Sequence, residues 1–117
     1  MSRAVELIVV HCSASPDGVS LFEGVPGEPG FRTPVQAIDA WHAVRGFARS
    51  SEWRHTLNES LGSIGYHFVI YVSGAIVTGR HMDEVGGHAH VTGKSFNRRS
   101  IGICMIGTER FPAKKPR

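Results

Sequence analysis

Three short histidine-containing segments carry the residue types best suited to chemistry in this sequence. Their letters are VVHCSA at residues 9–14, GYHF at residues 65–68 and GGHAH at residues 86–90. The whole chain has seven histidines among 117 residues. Histidine changes charge near neutral pH and is the commonest metal ligand among side chains, so this count indicates acid–base or metal chemistry.

His11 ends an apolar run at residues 6–10 that is rich in β-branched side chains and too short for a helix. The run predicts a central strand with His11 at its C-terminal end. Taken alone, a histidine in that position is more often a core residue bonded to backbone than a ligand. Cys12 is expected to point away from His11 into the core, because side chains alternate along a strand, which argues against a Cys–His nucleophile pair.

The remaining histidines leave several interpretations open. By itself, Tyr66 is an amphipathic strand residue with its hydroxyl at the surface, and His67 faces the other way as a surface or packing residue. His88 and His90 are two residues apart, so in an extended segment they share a face and would form a metal site with His11. Surface positions are predicted for the other three histidines, His42, His55 and His81.

Local signals indicate the elements that must position these residues. A helix is predicted from Thr33, which is suited to cap it, to about Arg45. Pro34 suits the first turn, Gln36 completes a capping box, and Gly46 stops the helix. Residues 66–72 and 75–78 form a predicted hairpin around Ser73-Gly74, and a further buried strand is predicted at residues 100–107. Loops are predicted at residues 15–32, 47–63 and 81–98.

This order of elements predicts an α/β fold in which helices flank a mixed central β-sheet. We expect one domain that spans residues 1–117. Nothing predicted after Gly107 covers the second face of the sheet, so the domain is expected to be incomplete and to lack a C-terminal helix. An exposed apolar face of this kind predicts an oligomer or another partner that buries it.

Composition narrows the classes of function. The net charge is +3, but the basic residues are scattered except at Arg98-Arg99 and residues 114–117, without interleaved aromatics, so no nucleic-acid partner is expected. No apolar run reaches the roughly 18 residues that cross a bilayer, and no signal peptide precedes the first strand. We therefore expect a cytoplasmic protein with no membrane partner. Cys12 and Cys104 are predicted to be free thiols in buried strands.

Four segments together give the chain a family resemblance. They are VVHCSA at residues 9–14, IDAWHAVRGF at 38–47, GYHFVIYVSGAIVTGR at 65–80 and VGGHAHVTGKSFNRRSIGICMIGT at 85–108. In order and spacing they resemble the zinc-dependent N-acetylmuramoyl-L-alanine amidases of type 2. That family includes phage endolysins and is related to the peptidoglycan recognition proteins. The resemblance covers nearly the whole chain.

The resemblance implies a function and a set of site residues. Enzymes of this family hydrolyse the amide between the lactyl group of N-acetylmuramic acid and L-alanine in peptidoglycan. His11 matches their first zinc ligand, and Tyr66 matches a catalytic tyrosine that assists at the scissile amide. His88 matches a position that lines the substrate groove. Trp41 matches the tryptophan of a helix motif. That tryptophan is mostly a packing residue, but we expect Trp41 to be among the substrate-binding residues.

The implied cofactor, Zn²⁺, explains why such residues are needed. A zinc ion acidifies its bound water and polarises the amide oxygen, which makes amide hydrolysis feasible at neutral pH. A catalytic zinc takes three protein ligands and keeps one open position. A phenol beside the metal donates to the oxyanion of the tetrahedral intermediate.

The sequence also departs from the family pattern. Related amidases take a second histidine ligand, and a third that is Cys or Asp, from a segment after the strand at residues 100–107, and neither has a counterpart here. Some recycling amidases have a glutamate where Cys104 stands, whereas endolysin-like members have a thiol. Three interpretations stay open: an enzyme acting on the cell wall or on recycled muropeptides, a truncated or degenerate relative that binds peptidoglycan without hydrolysing it, and an unrelated metal-free protein with structural histidines.

Overall fold

The computed structural model describes residues 3–13, 15–16, 21–88 and 96–109. The elements within these ranges are β1 (Leu7–Cys12), β2 (Ser15–Pro16), α1 (Pro34–Val44), α2 (Ser51–Thr56), β3 (Phe68–Ile70), β4 (Ile76–Thr78), α3 (Phe96–Arg99), β5 (Ser100–Met105) and β6 (Thr108–Glu109). Four strands form one sheet in the order β1-β5-β3-β4, and β2 pairs with β6. The larger sheet is mixed, because β5 runs parallel to β1 and β3 whereas β3 and β4 are antiparallel. The predicted α/β fold is confirmed.

β1 is an edge strand, and the prediction of a central strand was wrong. Its residues Leu7, Val9 and His11 are half-buried, whereas Ile8 and Val10 are 66% and 60% exposed. The central position belongs to β5, which pairs with β1 on one side and β3 on the other. An apolar run indicates a strand, but its place in the sheet depends on pairing with residues far away in the sequence.

α1 begins and ends where its capping signals predict. The backbone N–H of Thr33 donates to the Gln36 side-chain oxygen at 2.8 Å, and Pro34 is the first helical residue. Arg45 caps the C-terminus, and Gly46 follows in the left-handed region at φ +92°. The buried face of α1 packs on the sheet in a core formed with other buried side chains, Val35, Ile38, Leu61, Ile64, Val69, Cys104 and Ile106.

The predicted hairpin is confirmed, although its paired strands are shorter than predicted. Phe68 to Ile70 pair with Ile76 to Thr78, and the turn closes through the Tyr71 N–H, which donates to Ala75 O at 2.8 Å. Gly74 takes a φ of +94° in this turn, a conformation that glycine adopts without strain. β5 also forms where the sequence predicts a buried strand.

The segment at residues 47–63, predicted as a loop, contains α2. Its C-terminal end is held by Arg49, whose buried guanidinium donates to Trp53 O at 3.2 Å and Leu57 O at 2.9 Å. The same guanidinium pairs with buried Glu84 at 2.8 Å. A buried charge needs such complete pairing, so this contact fixes α2 against the segment that leads to His88.

The second face of the sheet presents apolar side chains to solvent. By strand register, Ile8, Val10, Met105 and Ile76 lie on this face, and they are 66%, 60%, 40% and 68% exposed. This agrees with the expected exposed apolar face; the predicted oligomer stays a prediction. Within the described ranges, no helix is both long and apolar enough to cross a bilayer.

Candidate functional site

Four aromatic rings meet over β5 on the side of the sheet that α1 covers. The ring centroid of His11 lies 5.4 Å from that of Tyr66 and 5.0 Å from that of His88. On its other side, Tyr66 lies 5.3 Å from His42 of α1. The structure therefore brings together three predicted site residues, His11, Tyr66 and His88, and adds a histidine that was predicted to be at the surface.

A chain of hydrogen bonds fixes the protons on His11 and His88. The Ser100 hydroxyl donates to Phe96 O at 2.5 Å and is left to accept from Nε2 of His88 at 3.2 Å. Nδ1 of His88 is then an acceptor, so Nε2 of His11 donates to it at 2.8 Å. Burial lowers the pKa of His11, and burial and nearby His11 lower that of His88 to about 3. Both rings are neutral at physiological pH.

Two glycines make room for the His88 ring. A Cβ on Gly102 of β5 would collide with Cγ and Cδ2 of His88, and one on Gly86 would lie 2.6 Å from Cδ2. Because neither glycine has a side chain, the imidazole can lie directly against the backbone of the central strand. The backbone N–H of His88 also donates to Oδ1 of Asn97 at 3.1 Å. Sequence inspection did not assign a role to any of these three supporting residues.

Tyr66 is half-buried in the middle of the cluster, and the interpretation of it as an ordinary strand residue with a surface hydroxyl does not hold. Burial, and secondarily the neighbouring Cys104 thiol, raise the pKa of Tyr66 well above its usual value. Its phenol therefore stays protonated and remains a hydrogen-bond donor throughout the neutral range. Burial also raises the pKa of Cys104 to about 11, so this free thiol is protonated as well.

α1 holds the segment that carries Tyr66. Nδ1 of His42 accepts the Gly65 N–H at 2.8 Å, and Oδ1 of Asp39 accepts the N–H groups of Ser63 and Ile64 at 2.7 Å and 2.6 Å. Asp39 and His42 are three residues apart, so both lie on the same face of the helix. These bonds make His42 a buried supporting residue with its remaining proton on Nε2, and the surface prediction for it was wrong.

The burial of His42 also affects its charge. His42 is buried, with 5% of its surface exposed. This burial, and to a smaller extent the charges of Arg45 and Arg80, lower the pKa of His42 to about 4. The other two histidines predicted at the surface differ from it. The His55 side chain is 71% exposed, as predicted, whereas that of His81 is 36% exposed and packs against Trp53, with a ring-centroid distance of 5.2 Å.

Cys12 lies at the surface, whereas His67 lies in the core. Cys12 is exposed, and its predicted position in the core was wrong because β1 is an edge strand whose outer face lies open. His67 is fully buried: Nδ1 accepts the Gly102 N–H at 3.0 Å, and Nε2 donates to Glu84 O at 2.7 Å. The packing alternative for His67 is therefore the correct one.

Two cavities flank Tyr66. One, of about 150 Å³, is lined by His42, Arg45, Phe47, Tyr66, Gly87, His88 and Asn97. The other, of about 250 Å³, is lined by Cys12, Ser13, Ile38, Trp41, His42, Arg45, Tyr66 and Cys104. His88 and Trp41, both predicted to bind substrate, thus lie in different cavities, and Trp41 is 40% exposed. Arg45, which sequence inspection did not single out, lines both.

The described residues do not supply a complete ligand set for a catalytic zinc, which takes three protein ligands. Within those ranges, no group of three or more His, Cys, Asp or Glu side chains is arranged to hold a metal. His11 and His88 lie together, but the proton on Nε2 of His11 occupies the bond between them. His90, the third member of the alternative three-histidine site, lies outside the described residues, so that site stays a prediction.

The fold and the cluster define a class: an α/β domain with a mixed sheet, one covering helix and a neutral histidine–tyrosine cluster between two cavities. The chain belongs to the N-acetylmuramoyl-L-alanine amidase family, Amidase_2, whose model matches residues 1–116. This finding confirms the family resemblance drawn from the sequence segments.

Relatives of known name agree with the family. The endolysin of Escherichia phage T7 is 30% identical over 105 residues, which cover 90% of this chain and 50% of the endolysin. The endolysin of Enterobacteria phage T3 is 31% identical over 102 residues, or 87% of this chain and 48% of the endolysin. Peptidoglycan-recognition protein LB of Drosophila melanogaster is 39% identical over 56 residues, which are 48% of this chain and 22% of that protein. The chain spans about half the length of the endolysins it matches.

Proposed function

We propose that this chain contributes to the active site of a peptidoglycan hydrolase that cleaves the amide between the lactyl group of N-acetylmuramic acid and L-alanine. The observation that carries the proposal is the neutral cluster of His11, Tyr66 and His88 between two cavities, in a chain that belongs to the amidase family. A scissile amide beside Tyr66 would have room for the sugar on one side and for the peptide on the other.

Tyr66 is proposed as the catalytic residue. Amide hydrolysis passes through a tetrahedral intermediate in which the carbonyl oxygen gains negative charge, and a donor already in place stabilises that charge. The phenol is suited to this task because it is a protonated hydrogen-bond donor at neutral pH, and burial raises its pKa further. Its ring is held between His11 and His42, and its hydroxyl, which hydrogen-bonds to the Cys104 sulfur, would exchange that partner for the oxyanion.

His88 and Trp41 are proposed to bind substrate. His88 lines the smaller cavity, and because both of its ring nitrogens bond to His11 and Ser100, it would contact a glycopeptide through the carbon edge and face of a neutral ring. Trp41 lines the larger cavity with its side chain partly open to solvent, and an indole face suits the apolar face of a sugar or of L-alanine. The two residues would then hold opposite sides of the scissile bond.

Zinc is proposed as the cofactor, with His11 as one ligand. The support is family membership and the position of His11 beside Tyr66. Among the described residues, the only possible metal ligands brought together near Tyr66 are His11 and His88, and three ligands are needed. The roles proposed for Tyr66, His88 and Trp41 are therefore argued without the metal. Binding of zinc at Nε2 of His11 would require that atom to lose its proton and its bond to His88.

The second candidate is a protein that binds peptidoglycan without hydrolysing it. The incomplete zinc ligand set within the described residues favours this candidate. Binding needs the two cavities and their polar groups, but it needs neither a metal nor an oxyanion donor.

We further propose that the protein resides in the cytoplasm, acts on the cell wall or on recycled muropeptides, and self-associates through the apolar sheet face.

A soluble N-acetylmuramoyl tripeptide separates the two candidates. Hydrolysis is expected to release the free amino group of L-alanine. The active protein is expected to contain close to one zinc ion per chain. His11→Ala is expected to abolish both, whereas His55→Ala, which removes an exposed histidine, serves as the matched control. Binding without release of the amine would favour the non-hydrolytic candidate. Activity that survives His11→Ala, or activity without zinc, would contradict the proposed catalytic centre.

A further inference from the structure

Arg45 is placed where the two cavities meet. It is the C-cap residue of α1, and its backbone N–H donates to Trp41 O at 3.2 Å and His42 O at 3.1 Å. Its side chain lines both cavities, as those of His42 and Tyr66 also do. The helix end therefore fixes the base of the side chain next to the proposed catalytic phenol.

The guanidinium of Arg45 is oriented by an aromatic ring. Its central carbon lies 5.0 Å from the centroid of the Phe47 ring, a cation–π contact. Among the described residues, the structure gives this guanidinium no carboxylate and no hydrogen-bond acceptor. Stacking on Phe47 uses the face of the guanidinium. The edge, which carries five N–H donors, remains able to bind a planar anion such as a carboxylate in bidentate geometry.

The cavity walls around Arg45 lack an acidic side chain among the described residues. None of the described residues that line the two cavities is Asp or Glu, and burial lowers the pKa of His42 to about 4, so this histidine is uncharged at neutral pH. The nearest carboxylate of α1, Asp39, accepts two backbone N–H groups of the Tyr66 segment. Arg45 is thus a positive charge that no described carboxylate in the lining of either cavity compensates.

We propose that Arg45 is a specificity residue that binds the free α-carboxylate of the second residue of the peptide stem, the residue after L-alanine. This inference rests on the proposed function, because it takes the peptide part of a muropeptide to lie beside Tyr66. A charge-assisted bond from a guanidinium to a carboxylate is stronger than a bond to a neutral amide. The site would therefore distinguish stems with a free carboxylate from stems in which the same group is a carboxamide.

Two N-acetylmuramoyl tripeptides test this proposal. They differ only at the second stem residue, which carries either a free α-carboxylate or an α-carboxamide. The measured quantity is KM, or the dissociation constant if the peptide is bound without hydrolysis. Arg45→Ala is expected to weaken binding of the carboxylate peptide roughly tenfold and binding of the carboxamide peptide by less than about twofold. Arg45→Lys is expected to keep part of the preference, because it keeps the charge but loses the planar fork.

Arg32→Ala is the matched control, because it removes one exposed arginine at the other end of α1 and should change neither affinity. Equal affinity of the unaltered protein for the two peptides would overturn the role of Arg45 while leaving the proposed function standing. The role of Arg45 is overturned in the same way if Arg45→Ala weakens both peptides equally. Failure of the unaltered protein to bind either peptide would overturn the proposed function and this inference together.

Discussion

At the scale of single residues, the site is a set of neutral groups kept neutral by burial. His88 and His42 lose their affinity for protons, and Tyr66 holds its proton more tightly, because each charged form would be poorly solvated where the residue lies. Their protonation states are therefore the same from weakly acidic to weakly alkaline pH. Such a site offers hydrogen bonds of fixed direction to an uncharged amide.

The phenol of Tyr66 gives the most specific prediction at this scale. Tyr66→Phe keeps the ring between His11 and His42 but removes the donor to the oxyanion. We expect kcat for muropeptide hydrolysis to fall by roughly 10²- to 10³-fold with little change in KM, since the donor acts mainly in the transition state. Steady-state kinetics measure both values. A kcat within about twofold of the original would show that the phenol is not the oxyanion donor.

The lowered pKa of His42 predicts that the stability of the fold depends on pH. Its pKa is about 4 in the folded chain, against an ordinary value of 6.5. Between these values the unfolded chain binds more protons, so the free energy of unfolding falls as the pH is lowered from about 6.5 to about 4. Burial is the main cause; Arg45 and Arg80 act in the same direction, and Asp39 opposes them.

Two substitutions separate the charge of His42 from its hydrogen bond. His42→Asn keeps an acceptor for the Gly65 N–H but cannot titrate, so its stability should fall less between pH 6.5 and 4. His42→Ala also leaves the buried N–H unpaired, which should cost about 1–3 kcal/mol at pH 7. Urea unfolding at both pH values measures these effects. If the Asn variant and the original protein lose the same stability over this range, the assignment to His42 is wrong.

At the scale of elements, α1 and the hairpin were predictable because their signals are local. Thr33, Gln36 and Gly46 act on backbone within one or two helical turns, and Gly74 acts within its own turn. The edge position of β1 and the contact between His11 and His88 were not predictable in this way. Both depend on which strand β5 pairs with, and single-sequence patterns do not carry that information.

α2 and the burial of His42 illustrate the same limit. α2 is short and is held by Arg49, which reaches its carbonyl groups and Glu84, a partner 35 residues away. Nothing in the residues around Arg49 identifies that partner. The surface prediction for His42 failed for a similar reason, because its bond to Gly65 depends on where a distant segment packs. By contrast, His11 was found through its own strand end and its family motif.

Gly102 gives a prediction about β5. Gly102→Ala places a Cβ against the His88 ring, so we expect His88 to move and the affinity for muropeptide to fall several-fold. Gly62→Ala is the matched control, because its Cβ would meet only the end of the Arg54 side chain, at 3.3 Å. Isothermal titration with the tripeptide measures both variants. Unchanged affinity in Gly102→Ala would mean that the position of His88 does not matter for binding.

At the scale of the whole molecule, the apolar second face of the sheet is the main feature outside the site. Ile8 and Ile76, on opposite edge strands, are both about two-thirds exposed. Apolar patches of this kind commonly mark surfaces that bind a partner. We propose a second copy of the chain as that partner.

Self-association is therefore expected to depend on this face. Ile8→Lys places a charge on β1 and should shift the protein toward monomer in sedimentation equilibrium. Val44→Lys is the control, because Val44 is 88% exposed on α1, away from the sheet face. An unaltered protein that is monomeric at all concentrations would contradict self-association through this surface. So would an equal effect of the two substitutions.

The cluster around Tyr66 is proposed to act on the bond between N-acetylmuramic acid and L-alanine, and the catalytic roles proposed for Tyr66 and His11 depend on that assignment. Mass spectrometry of the products released from purified peptidoglycan tests it most directly. We expect peptides with a free L-alanine amino terminus, glycan strands with free lactyl carboxyl groups, and neither product from His11→Ala. Products cut at any other bond, or no products at all from the unaltered protein, would contradict the assignment.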